Sequence, residues 1–315
     1  MRIFMTGTSG FLGLPVAHCL LASGHDVAAL ARPGRGRAGP VDIAEGLTLI
    51  AGTLDDVAAL RAPLAEFSPD AVIHAGWSDV GTAQRNAPAQ LGNAVMAANL
   101  AGLAAELGIP AFVGIGSQAE YGPLDRVADE AAPTRPTTLY GIAKLAAALA
   151  TERICAGATM RWAWLRLFSA YGPRDHASCL IPTLIRSLMA GERPALTACT
   201  QRWDFLHVDD AAAAIVAVAT SPTASGTFNL GSGEAPPLKE TVELLRDLVD
   251  PALPLGFGEL PYRLEQPMHL QADIRQLSEA TGWRPRISLR EGLSTTLRWH
   301  AARLHPYRAA SPREG

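Results

Sequence analysis

Met1-Arg-Ile-Phe-Met-Thr6-Gly7-Thr-Ser-Gly10-Phe-Leu-Gly13 decides the fold. Its apolar run has strand character, and the three glycines that follow lead into a helical pattern of Leu and Ala. Glycines at that spacing let the backbone turn tightly and bring a ligand against bare N–H groups. They also aim the positive end of the coming helix at a phosphate. The stretch therefore reads as a dinucleotide-binding turn, with Gly7, Ser9, Gly10, Phe11, Leu12 and Gly13 as cofactor contacts.

Outward from this turn, short apolar runs alternate with Ala/Leu-rich stretches, the rhythm of βαβ units. Strands are expected at Arg2–Thr6, Asp26–Leu30, Leu47–Ala51, Ala71–His74, Ala111–Gly116 and Trp162–Phe168. Helices are expected at Gly10–Ser23, Leu54–Glu66, Ala89–Leu107 and Tyr140–Ala156. The fold class is α/β: a Rossmann-like, doubly wound parallel sheet with a smaller, intertwined C-terminal lobe. The dinucleotide domain takes 1–168, and 203–233 return to it; 169–202 and 234–308 form the substrate lobe. The Gly/Pro-rich Arg32–Pro40 reads as a mobile connection and 309–315 as a disordered tail.

The chain has 315 residues, 48% hydrophobic and 18% charged, enough for a large core and against disorder. A formal net charge of -3, with no long run of either sign, leaves no electrostatic footprint for nucleic acid or an anionic membrane. No unbroken apolar stretch reaches about 18 residues, so neither a spanning helix nor a signal peptide is expected, and the localisation expected is cytoplasmic. Cys19, Cys155, Cys179 and Cys199 share no CxxC spacing and read as small buried hydrophobes; no metal is expected.

The end of the second strand distinguishes the cofactors. An acid there would bond the adenosine ribose hydroxyls, whereas a base tolerates a 2′-phosphate. Ala31 stands where the acid would be and Arg32 follows, so NADP(H) is favoured over NAD(H), with Arg35 and Arg37 as helpers.

Lys144 is one of only two lysines in the chain, and it lies four residues after Tyr140 at the start of a helix. The two side chains then share one face, and an ammonium beside a phenol favours the phenolate. With five tyrosines present, chance would give Tyr-x-x-x-Lys only about 0.03 times.

These residues resemble the extended short-chain dehydrogenase/reductases, the NAD-dependent epimerase/dehydratase group that acts on nucleotide sugars. The resemblance runs over residues 2 to 299. Thr6–Gly13 is similar to the family's TGxxGFxG turn. Ala71-Val-Ile-His74-Ala75-Gly76 resembles its histidine-bearing strand, and Phe112-Val-Gly-Ile-Gly-Ser117-Gln118-Ala-Glu-Tyr121-Gly122 resembles the strand ending in the catalytic serine or threonine. Arg166–Arg174 is similar to RxFNxYGPR, Asp204–Asp210 to DFxxVDD and Phe228–Gly233 to YNxGSG. Ala272-Asp273 with Gly282-Trp283-Arg-Pro285 and Leu289–Leu293 resembles the closing helical segment.

The resemblance implies roles. Tyr140 is the acid or base at the sugar oxygen, Lys144 holds the nicotinamide ribose and depresses the Tyr140 pKa, and Ser117 bonds the reacting oxygen. His74, Ala75, Gly76, Thr53, Leu54 and Asn93 join the cofactor contacts. The family's Gly-Asp-Leu is Gly52-Thr53-Leu54 here, so the usual aspartate facing adenine is absent. Gln118, Ser169, Arg174, Arg202 and Arg263 are the substrate-side residues, with Ser169 where the family has asparagine. The dehydratase branch needs an Asp-Glu pair where this chain has Gln118-Ala119, so that mechanism is disfavoured. The function expected is reduction of a nucleotide-linked 4-keto-6-deoxyhexose at C4. The alternatives are a 4-epimerase with tightly held NAD and, from another class, a catalytically silent NADP-binding sensor. The resemblance also implies a homodimer joined by a four-helix bundle of the helices near Ala89–Leu107 and Tyr140–Ala156.

Overall fold

The computed structural model describes residues 1–32, 46–263 and 266–308, with the side chains of 82 and 304–308 excepted. Arg35, Arg37, most of the Arg32–Pro40 connection and the 309–315 tail lie outside the described residues. The first half alternates β1 (Arg2–Thr6), α1 (Gly13–Ala22), β2 (Asp26–Ala31), β3 (Leu47–Ala51), α2 (Arg61–Phe67), β4 (Ala71–His74), α3 (Gln90–Glu106), β5 (Ala111–Ser117), α4 (Leu139–Gly157) and β6 (Arg161–Leu167). Then follow β7 (Ser169–Tyr171), α5 (Leu180–Met189), β8 (Arg202–Trp203), β9 (Phe205–His207), α6 (Val208–Thr220) and β10 (Gly226–Leu230). The chain closes with α7 (Leu238–Val249), β11 (His269–Leu270), α8 (Arg275–Thr281) and α9 (Leu289–Arg308).

Among the described residues the main sheet has seven strands in the order β10-β6-β5-β4-β1-β2-β3, every pairing parallel. Parallel strands need crossovers and bury both faces, which explains runs such as Ile3-Phe4-Met5 and Ala71-Val72-Ile73, all fully buried. One face carries α1, α6 and α8, whose Val16, Leu20, Ile215 and Leu277 meet Ile3, Met5 and Val113. The other carries α2, α3 and α4, with Leu64, Leu100 and Ala147 against Phe4, Val72 and Trp164. A separate cluster of Tyr171, Ile185, Leu188, Val242 and Leu293 gathers α5, α7 and α9.

Two expected helices differ. The one expected at Leu54–Glu66 is a 3-10 turn, Val57–Leu60, followed by α2 from Arg61; Asp56 accepts the Ala59 N–H and caps the tighter turn. The first helix starts at Gly13 rather than Gly10. Gly7 is at φ +80° and its carbonyl accepts the Gly10 N–H at 2.9 Å, so residues 7–10 close as a turn before the helix begins. No described helix is long and apolar enough to cross a membrane.

Candidate active site

Parallel strands align their C-terminal ends, so Gly7, Arg32, Gly52-Thr53-Leu54, Ala75 and Ser117 share one edge of the sheet. At Gly7 a β-carbon would stand 2.6 Å from the Ala75 carbonyl carbon, and one on Gly13 would run into the Gly7 carbonyl oxygen. The first turn of α1 holds no acidic side chain, so its N–H groups present uncompensated positive charge. Bare backbone, a helix N-terminus and no competing carboxylate fit a cofactor pyrophosphate. Arg32 is exposed just past β2, and the adjacent Gly52 N–H bonds the Ala31 carbonyl at 3.0 Å. That pairing sets Arg32 beside Thr53 and Leu54, the far end of the same trough.

His74, fully buried at the end of β4, exchanges a hydrogen bond between Nδ1 and Thr6 Oγ1 at 2.9 Å. Thr6 Oγ1 also accepts the Gly76 N–H at 3.0 Å, so one hydroxyl ties the imidazole to the start of the strap after β4. Burial, with the Lys144 charge adding, holds this imidazole down to about 3. The unfolded chain therefore binds a proton below pH 6.5 that the folded chain refuses, and stability falls as pH drops from 6.5 toward 3. In denaturant titrations, the stability of wild type relative to His74→Gln should fall by about 2 kcal/mol between about pH 7 and pH 5. An unchanged difference would mean that His74 is protonated in the fold.

The Tyr140/Lys144 pair lies where α4 starts. Thr138 caps α4 by accepting the Gly141 N–H at 3.1 Å, which begins the helix beside Ser117. The Ser117 hydroxyl, at the end of β5, bonds the Tyr140 phenol. One turn on, the Lys144 ammonium donates to the Ile115 carbonyl at 2.6 Å and lies 3.7 Å from the Trp77 ring and 5.9 Å from the Tyr140 ring. Tyr140 and Lys144, singled out by their spacing, and Ser117, indicated by the resemblance, converge. Burial pushes the Tyr140 phenol up, opposed by the Ser117 bond and by Arg85. The same burial brings the Lys144 ammonium down to about 7, with Glu120 pulling it back. At the phenol, then, desolvation outweighs the opposing pull of Ser117 and Arg85.

A family model described as the NAD dependent epimerase/dehydratase family matches residues 3–231. The chain belongs to that family. The UDP-glucose 4-epimerase of Corynebacterium glutamicum is 30% identical over 90% of this chain and 91% of its own. The dTDP-6-deoxy-L-talose 4-dehydrogenase (NAD(P)(+)) of Kitasatospora kifunensis is 28% identical over 93% of both. Among solved structures, MoeE5 in complex with UDP-glucose and NAD superposes with a TM-score of 0.82 at 27% identity, over 96% of this chain and 100% of that one. This chain is therefore an enzyme-family member whose relatives are named for reactions of nucleotide sugars.

The remaining sequence-derived residues of this family member have definite places. Asn93 holds the strap after β4, accepting the Ser78 N–H at 2.9 Å and donating to the Ser78 carbonyl. Ser169 accepts Trp203 Nε1 at 2.7 Å, which leaves its own proton to give. Gln118 lines a narrow cleft with Tyr121, Arg126, Phe168 and Leu270. Arg174 adopts φ +70° after Tyr171-Gly172-Pro173. Arg202 and Arg263 are both exposed, and Tyr262 ties their segments together by accepting the Thr200 N–H at 2.9 Å.

Three residues that shape the site went unread. Trp77 covers the Lys144 ammonium and is held by Gln90 at 2.9 Å. Arg85 faces Tyr140. Glu120, fully buried, accepts the Ser117 N–H at 2.8 Å, Trp164 Nε1 at 2.9 Å and Arg166 Nε at 2.8 Å. Only Glu120 carried a signal: Ser117-Gln-Ala-Glu120 is a capping box, Ser/Thr three residues before Glu.

Proposed function

We propose that the protein reduces a nucleotide-linked 4-keto-6-deoxyhexose at C4, using NADPH in preference to NADH. The observation that carries this reading is the convergence of Ser117, Tyr140 and Lys144 on the sheet edge that also holds the glycine turn. When bound, the nicotinamide supplies the hydride. Tyr140 gives its proton to the carbonyl oxygen, Ser117 donates a hydrogen bond to that oxygen, and Lys144 holds the cofactor ribose. Residues 1–168 with 203–233 would hold the cofactor, and 169–202 with 234–308 the sugar nucleotide, its diphosphate met by Arg202 and Arg263. Similarity to the dTDP-6-deoxy-L-talose 4-dehydrogenase, and to a GDP-6-deoxy-D-mannose reductase of Pseudomonas aeruginosa at 28% identity, supports the reductase. The 30% identity to a UDP-glucose 4-epimerase supports 4-epimerisation as the second reading.

The test is to incubate purified protein with nucleotide-linked 4-keto-6-deoxyhexoses and NADPH, following reduced-cofactor absorbance and then product NMR. Stoichiometric loss of NADPH with formation of a 4-hydroxyl supports the reductase. Interconversion of 4-epimers without net consumption of cofactor would replace it with the epimerase. Failure of every sugar, with NADPH still bound, would favour a silent binding protein.

NADP preference rests on Arg32 standing where no acid can bond a ribose. Arg32→Asp should weaken NADPH binding by about 1 to 2 kcal/mol while leaving NADH binding nearly unchanged. Equal loss for both cofactors would show that Arg32 does not read the 2′-phosphate.

A homodimer through α3 and α4 belongs to the same proposal. Leu91 and Val95 on α3, with Ile142 and Leu149 on α4, are 45%, 60%, 42% and 58% exposed, and each pair lies along one helix face. Four large apolar side chains on two packed helices suit a buried four-helix seam. Sedimentation equilibrium at micromolar concentration should give twice the chain mass, and Val95→Asp should return it to one.

A further inference from the structure

A buried guanidinium nitrogen with no partner is costly unless a charge develops near it. Arg85 is in that position. Its Nε is buried without a partner, and its guanidinium has no hydrogen bond or ion pair among the described residues. Its Cζ lies 5.0 Å from the Tyr140 ring centroid. The backbone makes this approach rigid: the Tyr140 N–H donates to the Arg85 carbonyl at 2.8 Å, and the Leu139 N–H to Asn86 Oδ1 at 3.1 Å. The fully buried Gln90 holds the same strap by donating to the carbonyls of Asp79 at 2.7 Å and Gln84 at 3.2 Å. Residues 84–86 are thus tied to the first turn of α4, with the cation over the Tyr140 ring.

We infer that the Arg85 guanidinium is a second fixed cation, beside Lys144, that stabilises negative charge on the Tyr140 oxygen as the phenol gives up its proton. The inference rests on the reductase reading and adds a positioning residue to it. In the proton step, the carbonyl carbon of the sugar takes the hydride from NAD(P)H and the C=O π pair moves to oxygen. The Tyr140 proton joins that oxygen, and a phenolate remains until solvent returns the proton. Arg85 exchanges no proton.

Lys144, 5.9 Å from the same ring, is the other cation here, and its ammonium has further partners. Its ammonium is spent on the Ile115 carbonyl and the Trp77 face, and burial brings it down to about 7. A guanidinium stays charged throughout. The other groups facing the phenol are Ser117, which bonds it, and the Glu120 carboxylate, which opposes its ionisation. On its far side Arg85 acts on the Cys179 thiol, which burial and Asp175 push up to about 12 and which is therefore neutral.

The test is an alkaline ultraviolet difference titration of ligand-free wild type, Arg85→Gln, Arg85→Lys and Tyr140→Phe, where the last identifies the Tyr140 step by subtraction. In Arg85→Gln the Tyr140 step should move to higher pH, and Arg85→Lys should bring it most of the way back. With substrate, Arg85→Gln should lower kcat about 10-fold, with KM within about twofold and the alkaline limb of the kcat profile displaced upward. An unmoved Tyr140 step in Arg85→Gln overturns the inference. So does a raised KM with unchanged kcat, which would make Arg85 a substrate grip. The titration needs no sugar: a displaced step supports the role of Arg85 even where every tested substrate fails, and that failure would count against the proposed reaction alone.

Discussion

Tyr140→Phe is expected to lower kcat by about several hundredfold or more and to leave NADPH binding nearly intact, because positioned proton transfer contributes about 10² to 10⁴ in rate. The tyrosine is half-buried, its phenol bonded by Ser117 and its ring faced by Arg85, so a water taking the hydroxyl's place would disturb both neighbours. The ring itself packs edge-on against Trp77 at 6.1 Å between centroids, a contact phenylalanine preserves. Single-turnover absorbance traces with saturating NADPH measure the chemical step directly. A mutant that keeps more than about a tenth of wild-type turnover would remove Tyr140 as the proton donor.

Glu120→Ala should cost about 3–5 kcal/mol of folding stability, the range for breaking a buried ion pair by deleting one partner. Glu120 and Arg166 are 0% and 8% exposed at the side chain and meet at 2.8 Å. Removing the carboxylate leaves the guanidinium, the Trp164 indole N–H and the Ser117 N–H unsatisfied in one place. Arg166 keeps the Tyr121 ring, 4.5 Å from its Cζ, and a long contact with the Glu130 carbonyl, neither of which replaces a carboxylate. Denaturant-induced unfolding of wild type and mutant near neutral pH measures the loss. A loss below about 1 kcal/mol would mean that water enters and solvates Arg166. The same mutation releases one arm of the capping box that orients Ser117, so its activity should fall more than its reduced folded fraction explains.

Local chemistry made the first half of the molecule legible. A strand, a glycine turn and a helix in sequence leave a chain few choices, since Gly7 needs positive φ and Gly13 must touch the Gly7 carbonyl. Apolar runs such as Ala71–Ile73 identify strands buried on both faces, as in a parallel sheet covered by helices. Helix boundaries were less legible. Nothing in Leu54–Glu66 marks where a 3-10 turn gives way to an α-helix, because both accept the same Ala/Leu pattern and the Asp56 cap decides.

By itself, then, the sequence determined the doubly wound sheet, the glycine turn, and the placing of Tyr140 and Lys144 on one helical face, all of which follow from spacings of a few residues. The tertiary structure alone decided what surrounds that face. Arg85 reaches Tyr140 across 55 positions of sequence, Trp77 covers Lys144 across 67, and Glu120 meets Arg166 across 46. Burial then reverses the expected electrostatics, because taking an ammonium and a phenol out of water disfavours the charged form of each, and the size of that effect depends on the neighbours that folding brings. Spacing along a chain encodes which side chains share a face; the dielectric and the counter-charges they meet belong to the assembled core.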